Sequence, residues 1–324
     1  MQERSTTEAR MTGQSRHEAL ASLATVRDWL RWSVSRFNAA GIFYGHGTTN
    51  ALDEAAFLLL KTLHLPIDQL EPWLEARLTD SERAAVHDVV ERRITTRKPA
   101  PYLVNEAWIG GRAFYVDERV IVPRSLLGEL LAKGLSPVVL DPGGIELVLD
   151  LCTGSGCLAI LSALTFPHAE IAATDISAEA LAVAARNVEA YGLSDRVMLL
   201  AGDLFGPVPR QCYDLILANP PYVSVAAMAS FPPEHRAEPA LAHAGGADGL
   251  ALVRRILAEG AAHLTSTGHI VVEVGTGRPL LEAEYPHLPF VWLDTEDSEG
   301  EVFWLQARDL VPERRARRAA DAKR

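Results

Sequence analysis

The sequence predicts an α/β protein: a Rossmann-like, doubly wound sheet with an antiparallel edge, preceded by a small helical domain and a β-hairpin linker. Three observations predict it. Residues 146–150, Glu-Leu-Val-Leu-Asp, read as a short apolar strand; Leu-Cys-Thr-Gly-Ser-Gly follows at 151–156, and 157–164 reads as a helix. Strand, glycine-bearing turn and helix form the first unit of such a sheet, whose ligands lie beyond the carboxyl ends of the strands. Two more apolar runs, 170–175 and 197–203, each end in an acid, Asp175 and Asp203. A fourth, 213–218, ends in Asn219-Pro220-Pro221-Tyr222.

The elements follow in order. Residues 1–20 are polar and are expected to be disordered. Residues 21–98 form the helical domain. Leu23, Val26, Trp29, Leu30 and Val34 recur at a helical period, 51–60 continue as a second helix, and a third starts at Thr79 or Asp80 and runs to about Arg97. Residues 99–124 read as the hairpin linker, turning at Gly110-Gly111. The α/β domain spans 125–310. Its last strands, 290–294 and 301–306, flank a polar turn and read as an antiparallel edge pair. Residues 311–324 hold six basic and two acidic residues, a disordered basic tail on a chain whose net charge is −11.

The strand ends carry the chemistry. Glycines at 154 and 156 let a ligand approach the backbone, and the helix start behind them favours an anionic group such as a carboxylate. An acid at 175 suits the two hydroxyls of a ribose, and one at 203 stands near a base edge; taken alone, either could as well cap a helix. At 219–222 the two prolines remove backbone donors, so the lip offers mainly acceptors. The Asn219 side-chain oxygen adds one more. Two acceptors side by side suit an NH2 group, and the Tyr222 ring suits the flat face of a planar amine or amide.

Composition sets limits. Hydrophobic residues make up 48% of the 324 and charged residues 23%, values of a globular protein with a core. Cys152, Cys157 and Cys212 form no Cys-x-x-Cys pair, so neither a disulfide framework nor a metal site is expected, which suits a reducing cytosol. No apolar stretch approaches a membrane span and the N-terminus has no signal-peptide core, so a cytoplasmic location is expected. The acidic balance disfavours bare DNA as a partner. Residues 41–50, glycine-rich between helices, and 222–248, a long connection with Pro232, Pro233 and Pro239, are candidate substrate-recognition and clamp segments.

Together, Asp150-x-x-Thr153-Gly154-Ser155-Gly156, Asp175, Gly-Asp-Leu-Phe at 202–205 and Asn-Pro-Pro-Tyr at 219–222 resemble an S-adenosylmethionine-dependent amino-methyltransferase. Val-Asp-Glu-Arg-Val-Ile-Val-Pro-Arg at 116–124 and Glu238-Pro-Ala-Leu-Ala-x-x-Gly245-Gly-x-Asp248-Gly-Leu are similar to the protein-glutamine N5-methyltransferases, and 31–55 to their bacterial PrmB-type branch. The resemblance covers about 25–307. It implies the class I methyltransferase fold and S-adenosylmethionine held by Asp150, Cys152, Thr153, Gly154, Ser155, Gly156, Asp175, Asp203, Leu204 and Asn219. It also implies catalysis by Asn219, Pro220, Pro221 and Tyr222. The implied substrate is one glutamine of the third large-subunit ribosomal protein, free or on the assembling subunit, in support of ribosome assembly, with no DNA or membrane partner.

Two departures stand out. Cys152 occupies a position where the wider class commonly has glycine. The sister branch, which acts on peptide-chain release factors, usually has Pro-Arg-Pro-Glu-Thr-Glu where this chain reads Pro123-Arg-Ser-Leu-Leu-Gly-Glu129. The other readings are release-factor methylation, DNA adenine N6-methylation through the same lip, and an assembly factor with a vestigial site.

Overall fold

A computed structural model describes residues 16–296 and 298–310; the expected disordered tail at 311–324 and most of the N-terminal segment lie outside the described residues. The chain divides into two compact units, one of residues up to 105 together with 232–237, the other of 106–231 and 238 onward.

The first unit is helical. Residues 16–22 form α1, a helix where the polar sequence suggested disorder. It is held by the buried side chains of Ala19 and, just beyond it, Leu23. Helix α2 (Val26–Ala40) starts on a capping box in which Thr25 and Asp28 satisfy each other's backbone N–H groups, and ends on left-handed Gly41. Asn50 caps α3 (Ala51–Thr62) and Thr79 caps α4 (Asp80–Thr96), the latter with Glu82 as its box partner. A short α5 (Ala100–Val104) closes the unit. Trp29, Phe37, Leu58, Leu59, Val86 and Val90 fill its core.

A charged group lies buried in that unit. The Arg93 guanidinium, fully buried, donates from Nε to Glu54 at 2.7 Å and from Nη2 to the Phe43 carbonyl at 2.9 Å. Glu234, also fully buried, faces it from residues 232–237: its Oε1 lies 3.0 Å from Arg97 Nε and accepts the Phe43 N–H. Thr48 donates to the second Glu54 oxygen. The glycine-rich loop 41–50 is therefore held at Phe43 and Thr48 by hydrogen bonds to these buried charged groups.

The second unit opens with the hairpin β1 (Ala107–Ile109) and β2 (Arg112–Phe114), turning at Gly110-Gly111 as its sequence indicates. Ser125 caps α6 (Leu126–Ala132). The sheet then builds from β3 (Leu147–Leu151), α7 (Cys157–Thr165), β4 (Glu170–Asp175), α8 (Ala178–Ala190), β5 (Val197–Ala201) and β6 (Tyr213–Ala218). After the lip come a one-turn α9 (Val225–Met228), α10 (Ala251–Gly260), β7 (Leu264–Glu273), α11 (Arg278–Glu284), β8 (Val291–Leu293) and β9 (Val302–Gln306). Strand order is β5-β4-β3-β6-β7-β9-β8. The first five are parallel, and β9 and β8 pair antiparallel at one edge. Each face is apolar: Val148, Ile171, Leu215 and Val271 pack on one side, Leu149, Ala172, Ile216 and Val272 on the other. Strands buried on both faces read as continuous apolar runs, which is why they were visible in the sequence. The order reverses between β3 and β6, the switch point at which such sheets open a ligand crevice.

The buried Arg93 group generates a stability test. Removing one member leaves an uncompensated charge in the interior, which costs about 3–5 kcal/mol. Chemical denaturation of Arg93→Met, followed by tryptophan fluorescence, is expected to show a loss of that order for the helical unit. A loss below about 1 kcal/mol would show that the charges are hydrated rather than buried.

Candidate active site

Strand register builds the site. Leu151, at the end of β3, is the direct neighbour of Ala218, at the end of β6. The turn after one and the lip after the other therefore emerge side by side. Between them opens a cavity of about 360 Å³, within the roughly 300–1,000 Å³ typical of small-molecule pockets. Cys152, Gly154, Asp175, Asp203, Leu204, Asn219 and Pro221 line it.

The turn is pulled into shape by two acids. Asp175 at the end of β4 accepts the Gly154 N–H at 2.8 Å through one oxygen and the Ser177 N–H at 2.8 Å through the other. Burial raises its carboxyl above the ordinary range, and those two N–H groups oppose the shift. Each oxygen keeps a further lone pair for a ligand. Gly154 has φ +56°, and a Cβ there would point into open space. Beneath the turn, Asp150 is fully buried and accepts the Thr153 hydroxyl at 2.5 Å, while its second oxygen has no partner. Burial pushes its carboxyl up to about 7. Thr153 and Ser155 are buried too, so Asp150, Thr153 and Ser155 shape the turn rather than line the cavity.

Cys152 takes φ +60°. This backbone explains why glycine suits the position: only a residue without Cβ adopts it at no steric cost. Desolvation, then the nearby Asp175 and Asp150 carboxylates, raise the thiol's pKa, so it stays neutral.

Of the lip, Asn219 and Pro221 face the cavity; Pro220 and Tyr222 do not. The Tyr222 hydroxyl donates to Glu273 at 3.0 Å, and burial followed by that carboxylate raises its pKa far above the usual phenol range. Its ring is therefore engaged by the protein. Asp203 is also occupied: Arg255 on α10 reaches it at 3.0 Å.

Several residues of the site went unread in the sequence. Thr174, one position before Asp175, lines the cavity with a buried hydroxyl that has no partner. Arg119, Val120 and Ile121 form one wall, with Arg119 held by Asp117, whose carboxyl that guanidinium lowers to about 2. Another wall comes from residues 239–246, within the segment read as a candidate clamp. Buried Glu238 anchors that segment: it accepts from Arg124 at 2.6 Å and from the Val122 N–H at 2.9 Å. Glu273 ends β7, a strand the sequence reading did not name. The rule that found Asp175 would have found it, because Ile270-Val-Val ends in this acid.

The donors and acceptors fit a nucleoside-bearing amino acid: a two-oxygen acceptor at Asp175, an unpartnered hydroxyl at Thr174, and an open glycine turn at the foot of a helix. Fold and cavity thus define a class I methyltransferase that uses S-adenosylmethionine. The family model "Methyltransferase small domain" matches residues 130–231. Ribosomal protein uL3 glutamine methyltransferases are similar over almost the whole chain. The one from Bradyrhizobium diazoefficiens is 55% identical over 89% of this chain and 92% of its own. The Bordetella pertussis protein is 54% identical over 89% and 97%, and the Neisseria gonorrhoeae protein 50% identical over 92% and 99%. The chain belongs to this family of glutamine methyltransferases. Among the described residues, no helix is long and apolar enough to cross a membrane.

Asp150 gives the site a pH signature. Its folded pKa, about 7, lies above the unfolded value of roughly 3.9, so its protonated form favours the fold. That contribution is complete below the unfolded value and is lost as pH rises through about 7. Asp150→Asn, which keeps an acceptor for Thr153 but cannot ionise, is expected to gain stability relative to wild type as pH goes from 5 to 8. Parallel stability profiles for the two proteins, from denaturant titrations across that range, would refute the assignment.

Proposed function

We propose that this enzyme transfers a methyl group from S-adenosylmethionine to the side-chain amide nitrogen of one glutamine in ribosomal protein uL3, the substrate named for its relatives. The observation that carries the reading is the shared cavity: Asn219 and Pro221 of the lip line the same space as Gly154 and Asp175 of the turn. A nucleophile held by the lip and a methyl donor held by the turn meet there. We place the reaction in the cytoplasm, on free uL3 or on the assembling large subunit.

The chemistry follows from the nucleophile. An amide nitrogen shares its lone pair with the carbonyl and is not deprotonated near neutral pH. S-adenosylmethionine, when bound, would supply an electrophilic methyl group on a sulfonium, whose S–CH3 bond breaks as the N–CH3 bond forms and whose sulfur departs as a neutral thioether. Asn219 Oδ1 and the Pro220 carbonyl, which belongs to the peptide bond of the cavity-lining Pro221, accept the two N–H bonds of the glutamine amide and aim its nitrogen at the methyl group. As the N–C bond forms, positive charge develops on nitrogen, and both acceptors are already placed to stabilise it. Orientation of this kind supplies roughly 7–11 kcal/mol in favourable cases. The proton leaves after transfer, so no base is required beforehand. On the donor side, Asp175 would hold the ribose hydroxyls, and the turn at 152–156 would hold the methionyl end.

Donor and acceptor roles separate by substitution. Asp175→Ala is expected to weaken S-adenosylmethionine binding by about 1.5–3 kcal/mol in isothermal titration. Asn219→Ala is expected to leave that affinity near wild type and to cut turnover roughly 100-fold or more. Asn219→Asp, which keeps acceptor oxygens, should retain more activity than Ala. Wild-type turnover in Asn219→Ala would remove the lip from catalysis.

The substrate is tested with methyl-labelled cofactor, purified uL3 and a peptide-chain release factor, with the label located by peptide mass spectrometry. One methyl on a single uL3 glutamine is expected. Efficient labelling of release factor with none on uL3 would transfer the enzyme to the sister branch.

A further inference from the structure

We propose that Glu273 is a positioning residue, which sets the lip acceptors through the Tyr222 hydroxyl and ties them to the start of α6. The proposal rests on the reading above, in which Asn219 and Pro220 hold the glutamine amide.

Register gives the first reason. In the β6–β7 pairing Ala218 sits beside Val272, so the next residues in line are Asn219 and Glu273. The acid therefore stands at the end of the strand next to the lip, 2% exposed. A carboxylate so far from water is costly unless it is hydrogen-bonded, and three donors converge on it. Tyr222 Oη donates at 3.0 Å to one oxygen; Ser125 Oγ at 2.6 Å and Leu126 N–H at 2.9 Å donate to the other. One carboxyl thus joins the lip, the strand beside it and the cap of α6.

Packing gives the second. The Tyr222 ring lies so close to Gly275 that a Cβ there would approach Cε2 to 2.7 Å. The ring thus occupies the space that a side chain at 275 would fill and packs against the bare glycine backbone, and its hydroxyl is fixed at the far end by Glu273. With ring and hydroxyl both fixed, the backbone from Asn219 to Tyr222 has little freedom, because Pro220 and Pro221 already fix two of its φ angles. The tyrosine of this motif thus acts as a peg that aims the two acceptors, and Glu273 is its socket.

No charge crosses to the reacting atoms in this arrangement, since neither Tyr222 nor Glu273 lines the cavity. The expected signature is a loss of kcat with cofactor affinity intact, together with a looser lip.

The test uses the full chain as wild type, Tyr222→Phe, Glu273→Ala, Glu273→Gln and the Tyr222→Phe/Glu273→Ala double variant. Hydrogen exchange is read on peptides covering 219–226, with no substrate present. Isothermal titration gives S-adenosylmethionine Kd, and steady-state assays on uL3 give kcat and KM. Tyr222→Phe, which removes one oxygen from the surface of a packed ring, and Glu273→Ala are each expected to speed exchange of the lip tenfold or more. Each should lower kcat at least tenfold while Kd stays within twofold. The double variant should be no worse than the worse single. Glu273→Gln keeps an acceptor for Ser125 and Leu126 and an amide for Tyr222, and should recover most of the lost turnover. Unchanged lip exchange in both single variants overturns the proposal, as do kcat losses that multiply in the double variant. If wild type fails to methylate uL3, the substrate reading falls, while the exchange result still decides whether Glu273 positions the lip.

Discussion

One pairing in the sheet governs the site: Leu151 beside Ala218. Parallel neighbours lie about 4.8 Å apart, so whatever follows each strand emerges within reach of the other. On one side follows a turn with an open glycine; on the other follow an asparagine and two prolines. The remaining architecture keeps that pairing buried and its two loops rigid. Apolar runs on both faces of β3 and β6 hold the register, because a one-residue slip would turn Asp150 and the core leucines to the wrong face.

Rigidity is bought with buried carboxylates. Asp150 holds Thr153 beneath the turn, Asp175 holds the Gly154 and Ser177 N–H groups, and Glu238 holds Arg124 and the Val122 N–H. Burial raises the Asp150 and Asp175 carboxyls, and hydrogen bonds to the charged form offset that shift to different degrees. Asp150, with one unpartnered oxygen, is the least compensated, and its carboxyl is pushed to about 7. Asp117 is the opposite case, well paired by Arg119 and lowered to about 2. This range of environments among acids near one cavity is what a fixed polar scaffold requires, and it needs no reactive base among them.

Much of this was legible in the sequence. Strands β3, β4 and β6 stood out because parallel, doubly buried strands are continuous apolar runs; Asp175, ending β4, and Asp203, two residues beyond edge strand β5, marked carboxyl ends. The helix cap at Thr79 and the Gly110-Gly111 turn were likewise local signals. What stayed hidden was set by tertiary pairing. Tyr222 reads as a stacking ring in one dimension, but Glu273, 51 residues later, accepts its hydroxyl. Asp203 reads as a ligand acid and lines the cavity, and its ion pair with Arg255, on a helix the sequence reading did not name, could not be read from the chain. Cys152 looked like a departure from glycine, and only its φ of +60° shows what the departure costs locally.

The lip explains why this chemistry is done by geometry. A glutamine amide has no accessible anionic form, so a strong base placed beside it would find no proton to take before transfer. The useful groups are acceptors that neither ionise nor move. Proline carbonyls and an asparagine amide meet both conditions: they are neutral across physiological pH, and the proline rings hold φ. The two N–H bonds of the substrate then define the direction of the lone pair. A ring that touched the substrate would add binding in ground and transition states alike, which lowers KM without raising kcat. A ring turned into the protein instead removes freedom from the acceptors, and that freedom is what would otherwise have to be lost as the barrier is crossed.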